Sequence, residues 1–282
     1  MITFPNAKIN IGLYITGKRP DGYHNLSTVM VPIPWRDILE IVPAGNKSGF
    51  TKLNLSGREL CCEPQNNLVF KATELFRKKT GLREDLDIFL RKIIPDGAGL
   101  GGGSSDAAYT LKTLNEMFDT QLSVNELKEM AAQLGADCPF FIENKPMIAE
   151  GIGDIMTPID LDVLDGKKIL IVKPTESIST SAAYKKISID EQIPDFQEIL
   201  FDEPELWGDT ITNSFIPVVV TEYPHFMPII DEIYSLGAEF CSMSGSGSAF
   251  YGIFPDTSAN LADKAKSIFP SSYIIFEGTL KF

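Results

Sequence analysis

The fold of this chain is decided by one glycine-rich stretch, Pro95-Asp96-Gly97-Ala98-Gly99-Leu100-Gly101-Gly102-Gly103-Ser104-Ser105. Glycine has no Cβ atom, so a backbone this dense in glycine can approach an anion closely and point its amides at phosphate oxygens. The run from Leu86 to Ile94 predicts a strand before the stretch, and apolar residues at helical spacing from Ala107 to Phe118 predict a helix after it. Because anions bind at helix N-termini, the sequence predicts a phosphate site here.

Other glycine-rich nucleotide motifs fit this stretch less well. Gly97, Gly99 and Gly102 match the dinucleotide fingerprint G-x-G-x-x-G, but that fingerprint normally opens an N-terminal βαβ unit, and here much extended chain comes first. Gly103 stands where a Walker A motif requires lysine. The motifs of protein kinases and the nucleophile elbow of serine hydrolases are missing from the sequence. A dehydrogenase, or a nucleotide-binding module without catalysis, stays as an alternative.

The composition is that of a folded, acidic protein. The 282 residues are 44% hydrophobic, and 25 basic against 38 acidic side chains give a net charge of -13. That length can bury a core for two modest domains, and the negative charge repels nucleic acids and anionic membrane surfaces, so we expect neither as a partner. The same repulsion acts on ATP, so a nucleotide site must supply positive potential locally through amides, a lysine or a metal ion.

Cysteine usage and the N-terminus indicate a cytoplasmic protein. The adjacent pair Cys61 and Cys62 would form a strained disulfide, so reduced thiols are the simpler interpretation of the four cysteines. With two histidines in the chain, a structural zinc site has almost no candidate ligands. The first residues have neither the basic start nor the apolar stretch of a signal peptide.

Two further regions define the organisation of the chain. From Lys8 to Ile15 apolar and polar residues alternate, which predicts a strand with one polar face, and Gly17 to Gly22 predicts a turn. From Gly151 to Gly166 the chain is polar and marked by glycines, which indicates a domain boundary. We therefore expect an N-terminal domain over residues 1–152 and a C-terminal domain over residues 153–282.

Three segments together resemble the GHMP kinases, a superfamily of small-molecule kinases. They are Pro5 to Asn10, Pro95 to Ala108, and Met243 to Ser248. Lys8 to Leu13, running into Gly17 to His24, is similar to those members whose acceptor carries a cytidine diphosphate group. The resemblance implies an α+β, two-domain fold with the active site in the cleft between domains.

The same resemblance implies a reaction and its cofactors. ATP would phosphorylate the 2-hydroxyl of 4-diphosphocytidyl-2-C-methyl-D-erythritol, in the non-mevalonate pathway to isoprenoid precursors, with Mg2+ accompanying the nucleotide. A GHMP kinase of the homoserine or mevalonate type stays as the alternative. No residue is predicted as a metal ligand, and the sequence does not indicate an oligomeric state.

The resemblance also implies roles for individual residues. Asp137 and Lys8 match the catalytic positions: an aspartate can take or orient the hydroxyl proton, and a lysine can stabilise the developing charge. From spacing alone, Asp137 would be a turn residue and Lys8 a solvated strand lysine. ATP would contact Pro95 to Ser105, and Asn67 near the adenine. The remaining matched positions, on the acceptor side, are Asn10, Tyr23, His24, Thr180 and Tyr184.

Overall fold

The computed structural model of the chain describes residues 1–60, 63–190 and 192–282. The prediction of reduced thiols at Cys61 and Cys62 therefore lies outside the described residues. Cys138 and Cys241 are both buried, free cysteines. Within the described residues, no helix is both long enough and apolar enough to cross a membrane.

The chain contains twelve strands and nine α-helices within the described residues, with β1 to β5 preceding the first α-helix. The strands are β1 (Ile2–Thr3), β2 (Asn6–Lys18), β3 (His24–Arg36), β4 (Ile38–Pro43), β5 (Thr51–Gly57), β6 (Leu86–Lys92), β7 (Met147–Glu150), β8 (Ile155–Pro158), β9 (Lys168–Lys173), β10 (Phe240–Met243), β11 (Phe250–Phe254) and β12 (Ile274–Thr279). The helices are α1 (Leu68–Thr80), α2 (Gly102–Met117), α3 (Val124–Ala132), α4 (Phe140–Glu143), α5 (Thr180–Tyr184), α6 (Phe196–Ile199), α7 (Ile216–Glu222), α8 (Met227–Ser235) and α9 (Leu261–Ile268).

By its internal contacts the chain divides into two compact units. The first unit consists of Met1–Ala7, Trp35–Asp96 and Gly101–Lys145, and the second of Lys8–Pro34, Gly97–Leu100 and Pro146–Phe282. The glycine-rich stretch is therefore shared: its ends belong to the first unit and its middle to the second. The units interleave along the chain, so they differ from a single cut after residue 152, which stays a prediction about the linear domains.

The first unit has a four-stranded sheet in the order β1-β4-β6-β5, with β5 parallel to β6 and the other pairs antiparallel. Along β6 the side chains alternate, so Leu86, Ile88 and Leu90 are buried while Phe89 is exposed. Helices α1 and α2 pack against each other, and Phe76 of α1 and Leu111 of α2 are fully buried. This packing holds the start of α2, where the glycine-rich stretch ends.

The second unit contains two further four-stranded sheets, in the orders β2-β3-β7-β8 and β10-β11-β9-β12. The second of these is antiparallel throughout. Its core joins apolar residues of β9 and β11 to helices α7 to α9, and Leu13 and Ile15 of β2 enter the same cluster. Strand β2, which carries Lys8 and Asn10, is thereby held against the core of this unit.

Most long periodic segments were predicted correctly from the sequence. Strand β2 contains the predicted strand from Lys8 to Ile15, and β6 lies within the predicted run from Leu86 to Ile94. The description of residues 151–166 as a polar, glycine-marked segment was incomplete, because Ile155–Pro158 within it forms strand β8, which pairs with β7. Helix α2 begins at Gly102, so the last glycines and both serines of the stretch lie in its first turn.

Candidate active site

The first turn of α2 offers backbone donors to an anion. Gly101 precedes it with a φ of 68°, a left-handed conformation that glycine adopts at little cost, and its position at the N-cap carries no side chain to cap the helix. The first amides of a helix have no partner within the helix, and here they follow directly from the glycine-rich stretch. The helix dipole adds positive potential at the same end, so this turn suits a phosphate group.

Asp137 lies in the turn between α3 and α4, also in the first unit. It is half-buried, and the turn is closed by backbone hydrogen bonds from Cys138 to Gly135 at 3.1 Å and from Phe141 to Cys138 at 3.2 Å. Burial raises the pKa of the Cys138 thiol to about 11, although a hydrogen bond with the Ser104 side chain acts in the opposite direction. Through Ser104 and Cys138, the first turn of α2 thus touches the turn that carries the aspartate.

A cavity of about 170 Å3 lies beside this turn of α2. Its wall includes five of the predicted nucleotide residues: Asn67, Pro95, Asp96, Gly102 and Gly103. Asn67 also starts α1, because its Oδ1 atom accepts a hydrogen bond from the Val69 amide at 2.9 Å. The cavity is close in size to engineered cavities that hold benzene, so it can take one aromatic ring.

Three charged residues that were not predicted as site residues contact one another beside this cavity, and two of them, Lys92 and Asp106, line it. Lys92 ends β6, Asp37 joins β3 to β4, and Asp106 lies in the first part of α2; all three are buried. The Lys92 ammonium donates to Oδ2 of Asp106 at 2.6 Å and to Oδ2 of Asp37. We name these three residues the charge cluster. A signal was present in the sequence, because the period of β6 places Lys92 on the same buried face as Leu90.

In the second unit, Lys8 and Asn10 lie two residues apart on one face of β2. The Lys8 Nζ atom donates to Asn10 Oδ1 at 2.5 Å, and Asn10 Nδ2 donates to Thr28 Oγ1 at 3.1 Å. Both Lys8 and Asn10 are buried, so the expectation from spacing alone of a solvated strand lysine is wrong for Lys8. The Lys8 amide also donates to the Leu100 carbonyl at 2.9 Å, which ties β2 to the middle of the glycine-rich stretch.

The segment Met243 to Ser248 packs directly on that middle part. The Ser244 Oγ atom donates to the Gly99 carbonyl at 2.8 Å, and the backbone N–H of Asn10 donates to the same Oγ atom at 3.2 Å. Gly99 has a φ of 75°, and a Cβ atom on it would lie 2.0 Å from the Ser244 carbonyl oxygen. No larger residue fits this approach, which explains why the position is glycine.

Asn213 holds the Met243 to Ser248 segment and was not predicted as a site residue. Its Nδ2 atom donates to the carbonyls of Met243 at 2.7 Å and Gly245 at 2.9 Å. Its Oδ1 atom accepts from the Phe215 amide at 2.9 Å, so the buried side chain is satisfied at both ends. These partners lie far along the chain or on the backbone, and no local pattern in the sequence signals them.

The predicted acceptor residues form an aromatic group in the second unit. The rings of His24 and Tyr184 lie 5.3 Å apart and 30° from parallel, and Tyr184 meets Phe215 edge-on at 4.9 Å. Tyr23 is exposed next to them in sequence. Thr180 shares a hydrogen bond of 2.9 Å with Ser246. Flat, partly open ring pairs of this kind suit the stacking of a planar base.

The part of the chain that the structure describes contains no group of three or more histidine, cysteine or acidic side chains placed to hold a metal ion. A magnesium ion in a kinase is usually held by one or two carboxylates together with the phosphates of the nucleotide.

Similarity to known proteins agrees with these features. The family model for the GHMP kinases N terminal domain matches residues 67–145, and the model for the GHMP kinases C terminal region matches residues 193–271. A Bacteroides fragilis protein named 4-diphosphocytidyl-2-C-methyl-D-erythritol kinase is 49% identical over 90% of this chain and 92% of its own length. The chain belongs to the 4-diphosphocytidyl-2-C-methyl-D-erythritol kinase family.

Further relatives of this kinase share both sequence and fold. A protein of the same name from Parabacteroides distasonis is 40% identical over 99% of this chain and 100% of its own length. A solved structure of 4-(cytidine 5'-diphospho)-2C-methyl-D-erythritol kinase matches with a TM-score of 0.83 and 29% identity, covering 99% of both chains. The expectation of an α+β GHMP kinase fold is confirmed.

A more distant match shows the fold alone. The crystal structure of homoserine kinase from Cytophaga hutchinsonii has a TM-score of 0.69 at 16% identity, and the match covers 98% of this chain and 94% of that one.

Proposed function

We propose that this kinase transfers the γ-phosphoryl group of ATP to the 2-hydroxyl of 4-diphosphocytidyl-2-C-methyl-D-erythritol. Relatives named for this activity support the acceptor, and the glycine-rich turn of α2 supports a nucleotide donor. The observation that carries the proposal is the pairing of Lys8 with Asn10 on β2, because it buries a positive charge among polar side chains. A lysine held in this way can bring positive charge to a bound anionic group.

The chemical roles follow from the residue types. Asp137 accepts or orients the proton of the acceptor hydroxyl, and Lys8 stabilises the charge that develops on that oxygen and on the transferring phosphoryl group. Asn10 orients the Lys8 ammonium through its Oδ1 atom and contacts the acceptor. The glycine-rich stretch supplies amides that replace the hydration of the phosphates.

Nucleotide and acceptor would be held by different kinds of surface. The cavity beside Asn67 takes the adenine ring, and the stretch from Pro95 to Ser105 takes the phosphates. His24, Tyr184 and Tyr23 hold the cytosine base by stacking and hydrogen bonding, and Thr180 contacts the same substrate. Mg2+ arrives with ATP and, when bound, neutralises phosphate charge.

Inhibition by a fragment of the acceptor substrate tests this proposal. Cytidine diphosphate should inhibit competitively against the acceptor and not against ATP, since it would occupy the aromatic group alone. Uridine diphosphate is the matched control, because it carries the same charge with a different pattern of hydrogen-bonding groups. Equal inhibition by both nucleotides, or none by either, would contradict a cytidine site.

A kinase acting on homoserine or mevalonate is the less supported alternative, because structural similarity to homoserine kinase shows the fold alone. We further propose a cytoplasmic location, which the free cysteines Cys138 and Cys241 support.

A further inference from the structure

The charge cluster touches the nucleotide-binding turn directly. A Cβ atom on Gly102 would lie 3.3 Å from Lys92 Nζ and 3.0 Å from Ile94 Cγ2, so this glycine packs onto the lysine. Asp37 also accepts from the Ile94 amide at 2.9 Å, which fixes the chain where it leaves β6. The cluster therefore joins the segment before the glycine-rich stretch to the helix after it.

The cluster is unbalanced in charge. Two carboxylates share one ammonium, so the cluster carries one net negative charge when all three groups are ionised. Like charges in a buried site favour protonation of one of them. Burial and the nearby Asp37 carboxylate, opposed by Lys92, together raise the pKa of Asp106 to about 8. Burial also opposes the charge of Lys92, but Asp106 and Asp37 outweigh that effect and raise its pKa.

Asp106 also has an unused oxygen. Its Oδ2 atom is bound by Lys92, whereas Oδ1 is buried with no hydrogen-bond partner among the described residues. A buried polar atom without a partner is rare in native structures and calls for an explanation. Asp106 and Lys92 both contribute to the wall of the cavity of about 170 Å3 described above, so this carboxyl belongs to the nucleotide pocket.

We propose that Asp106 is a positioning residue of the nucleotide site, whose charge state, acting through Lys92, sets how tightly the first turn of α2 holds a nucleotide phosphate. With Asp106 protonated, the cluster is neutral and the positive end of the helix acts on the phosphates undiminished. With Asp106 ionised, a net negative charge lies beneath Gly102 and opposes the bound anion. The inference rests on the proposed location of the nucleotide.

The groups that face Asp106 are few. Lys92 approaches from β6 and Asp37 from the junction of β3 and β4. Asp96, which is exposed, lies on the wall of the same cavity. Since Lys92 keeps its charge up to high pH, the group that changes between pH 7 and pH 9 is Asp106.

The test is the pH dependence of ADP binding to the whole chain, measured by calorimetry without acceptor at pH 6.5 to 9.5. For the wild type we expect affinity to weaken roughly fivefold from pH 7 to pH 9. Asp106→Asn keeps the shape of the side chain without its charge, so its affinity should stay at the low-pH value throughout. The ionisation of ADP itself is common to all variants and cancels in the comparison.

Asp87→Asn is the matched control. It removes the same charge from β6, on the partly exposed face opposite Lys92, and should keep the pH dependence of the wild type. An identical pH profile for wild type and Asp106→Asn would overturn the inference.

Proton uptake by the wild type provides a second measurement, which does not depend on the folding of a variant. Binding of ADP should favour the protonated form of Asp106, so titrations at pH 8 in buffers of different ionisation enthalpy should reveal uptake of part of a proton. No uptake at pH 8 would contradict the inference.

A further variant separates this inference from the location of the nucleotide. Asn67→Ala should weaken ADP binding at every pH if the nucleotide lies in the cavity. If Asn67→Ala has no effect, the location is wrong. If it weakens binding while Asp106→Asn leaves the pH profile unchanged, the location stands and the role of Asp106 does not.

Discussion

The glycine-rich stretch and the strand and turn from Lys8 to His24 present different kinds of surface. The stretch presents its backbone: Gly99 approaches the Ser244 carbonyl too closely for any side chain, and Gly101 has a left-handed conformation. The region from Lys8 to His24 presents side chains, namely a buried lysine, an asparagine and a ring paired with Tyr184. A backbone site recognises phosphate, which many kinases share, whereas side chains are needed to distinguish one acceptor from another.

The largest effect is expected from Asp137→Asn, which belongs to neither binding surface. Without a carboxylate to take or orient the hydroxyl proton, kcat should fall about a thousandfold. The KM for ATP and the melting temperature should stay close to the wild type, because the turn is closed by backbone hydrogen bonds. Steady-state kinetics and thermal unfolding check this, and turnover near the wild-type value would rule out the role.

Gly99→Ala tests whether the backbone surface depends on close approach. The new Cβ atom would collide with the Ser244 carbonyl, so the free energy of unfolding should fall by about 2 to 4 kcal/mol, with a higher KM for ATP. Gly237→Ala is the control, since Gly237 also has a positive φ of 96° but no atom within 4 Å of the added carbon. Equal loss in urea unfolding would show that strain alone, not the Ser244 contact, matters.

Tyr184→Ala tests the side-chain surface. Losing one ring contact should raise the KM for the acceptor about five- to tenfold and leave the KM for ATP unchanged. Tyr273→Ala removes a tyrosine from another ring pair of the second unit, with Phe269, and should change neither KM. The comparison would fail if both tyrosine variants changed the same constant by the same factor.

The smallest effect is a pH dependence of stability that comes from the charge cluster. The pKa of Asp106 is about 8 in the folded chain and about 4 in the unfolded chain, so between these values only the folded chain holds the proton. The stabilisation is complete below pH 4 and is lost as the pH rises to about 8. Relative to Asp106→Asn, the wild-type free energy of unfolding should fall by about 1.4 kcal/mol from pH 7 to pH 9. A constant difference in urea unfolding would contradict this.

The sequence alone predicted those elements whose apolar residues follow a regular pattern within one strand or one helix. The alternation in β2, the strand-forming run of β6 and the helical spacing in α2 are each signals within one element. The hairpin of β7 and β8 was missed, because Ile155–Pro158 is largely exposed and becomes a strand only through its partner. The short apolar run of α7 gave no helix prediction, and its β-branched residues are helical because the unit packs them so.

The residues of the candidate site also differ in how far the sequence alone indicates them. The roles of Lys8 and Asp137 come from the resemblance and stay predictions, whereas spacing alone misjudged the burial of Lys8. Asn213 was not recognisable, because its partners Met243 and Gly245 come close only in the folded chain. Lys92 is partly predictable. The alternation along β6 predicts that its side chain is buried, but it does not predict the two carboxylate partners.

The most direct test of the central claim is a coupled assay of ADP release with three acceptors offered separately. With 4-diphosphocytidyl-2-C-methyl-D-erythritol, ATP and Mg2+, we expect steady ADP release and a product phosphorylated at the 2-hydroxyl, as shown by phosphorus NMR. With mevalonate or homoserine, release should stay at the background rate. Phosphorylation of either of these, with none of the cytidine-bearing acceptor, would contradict the account.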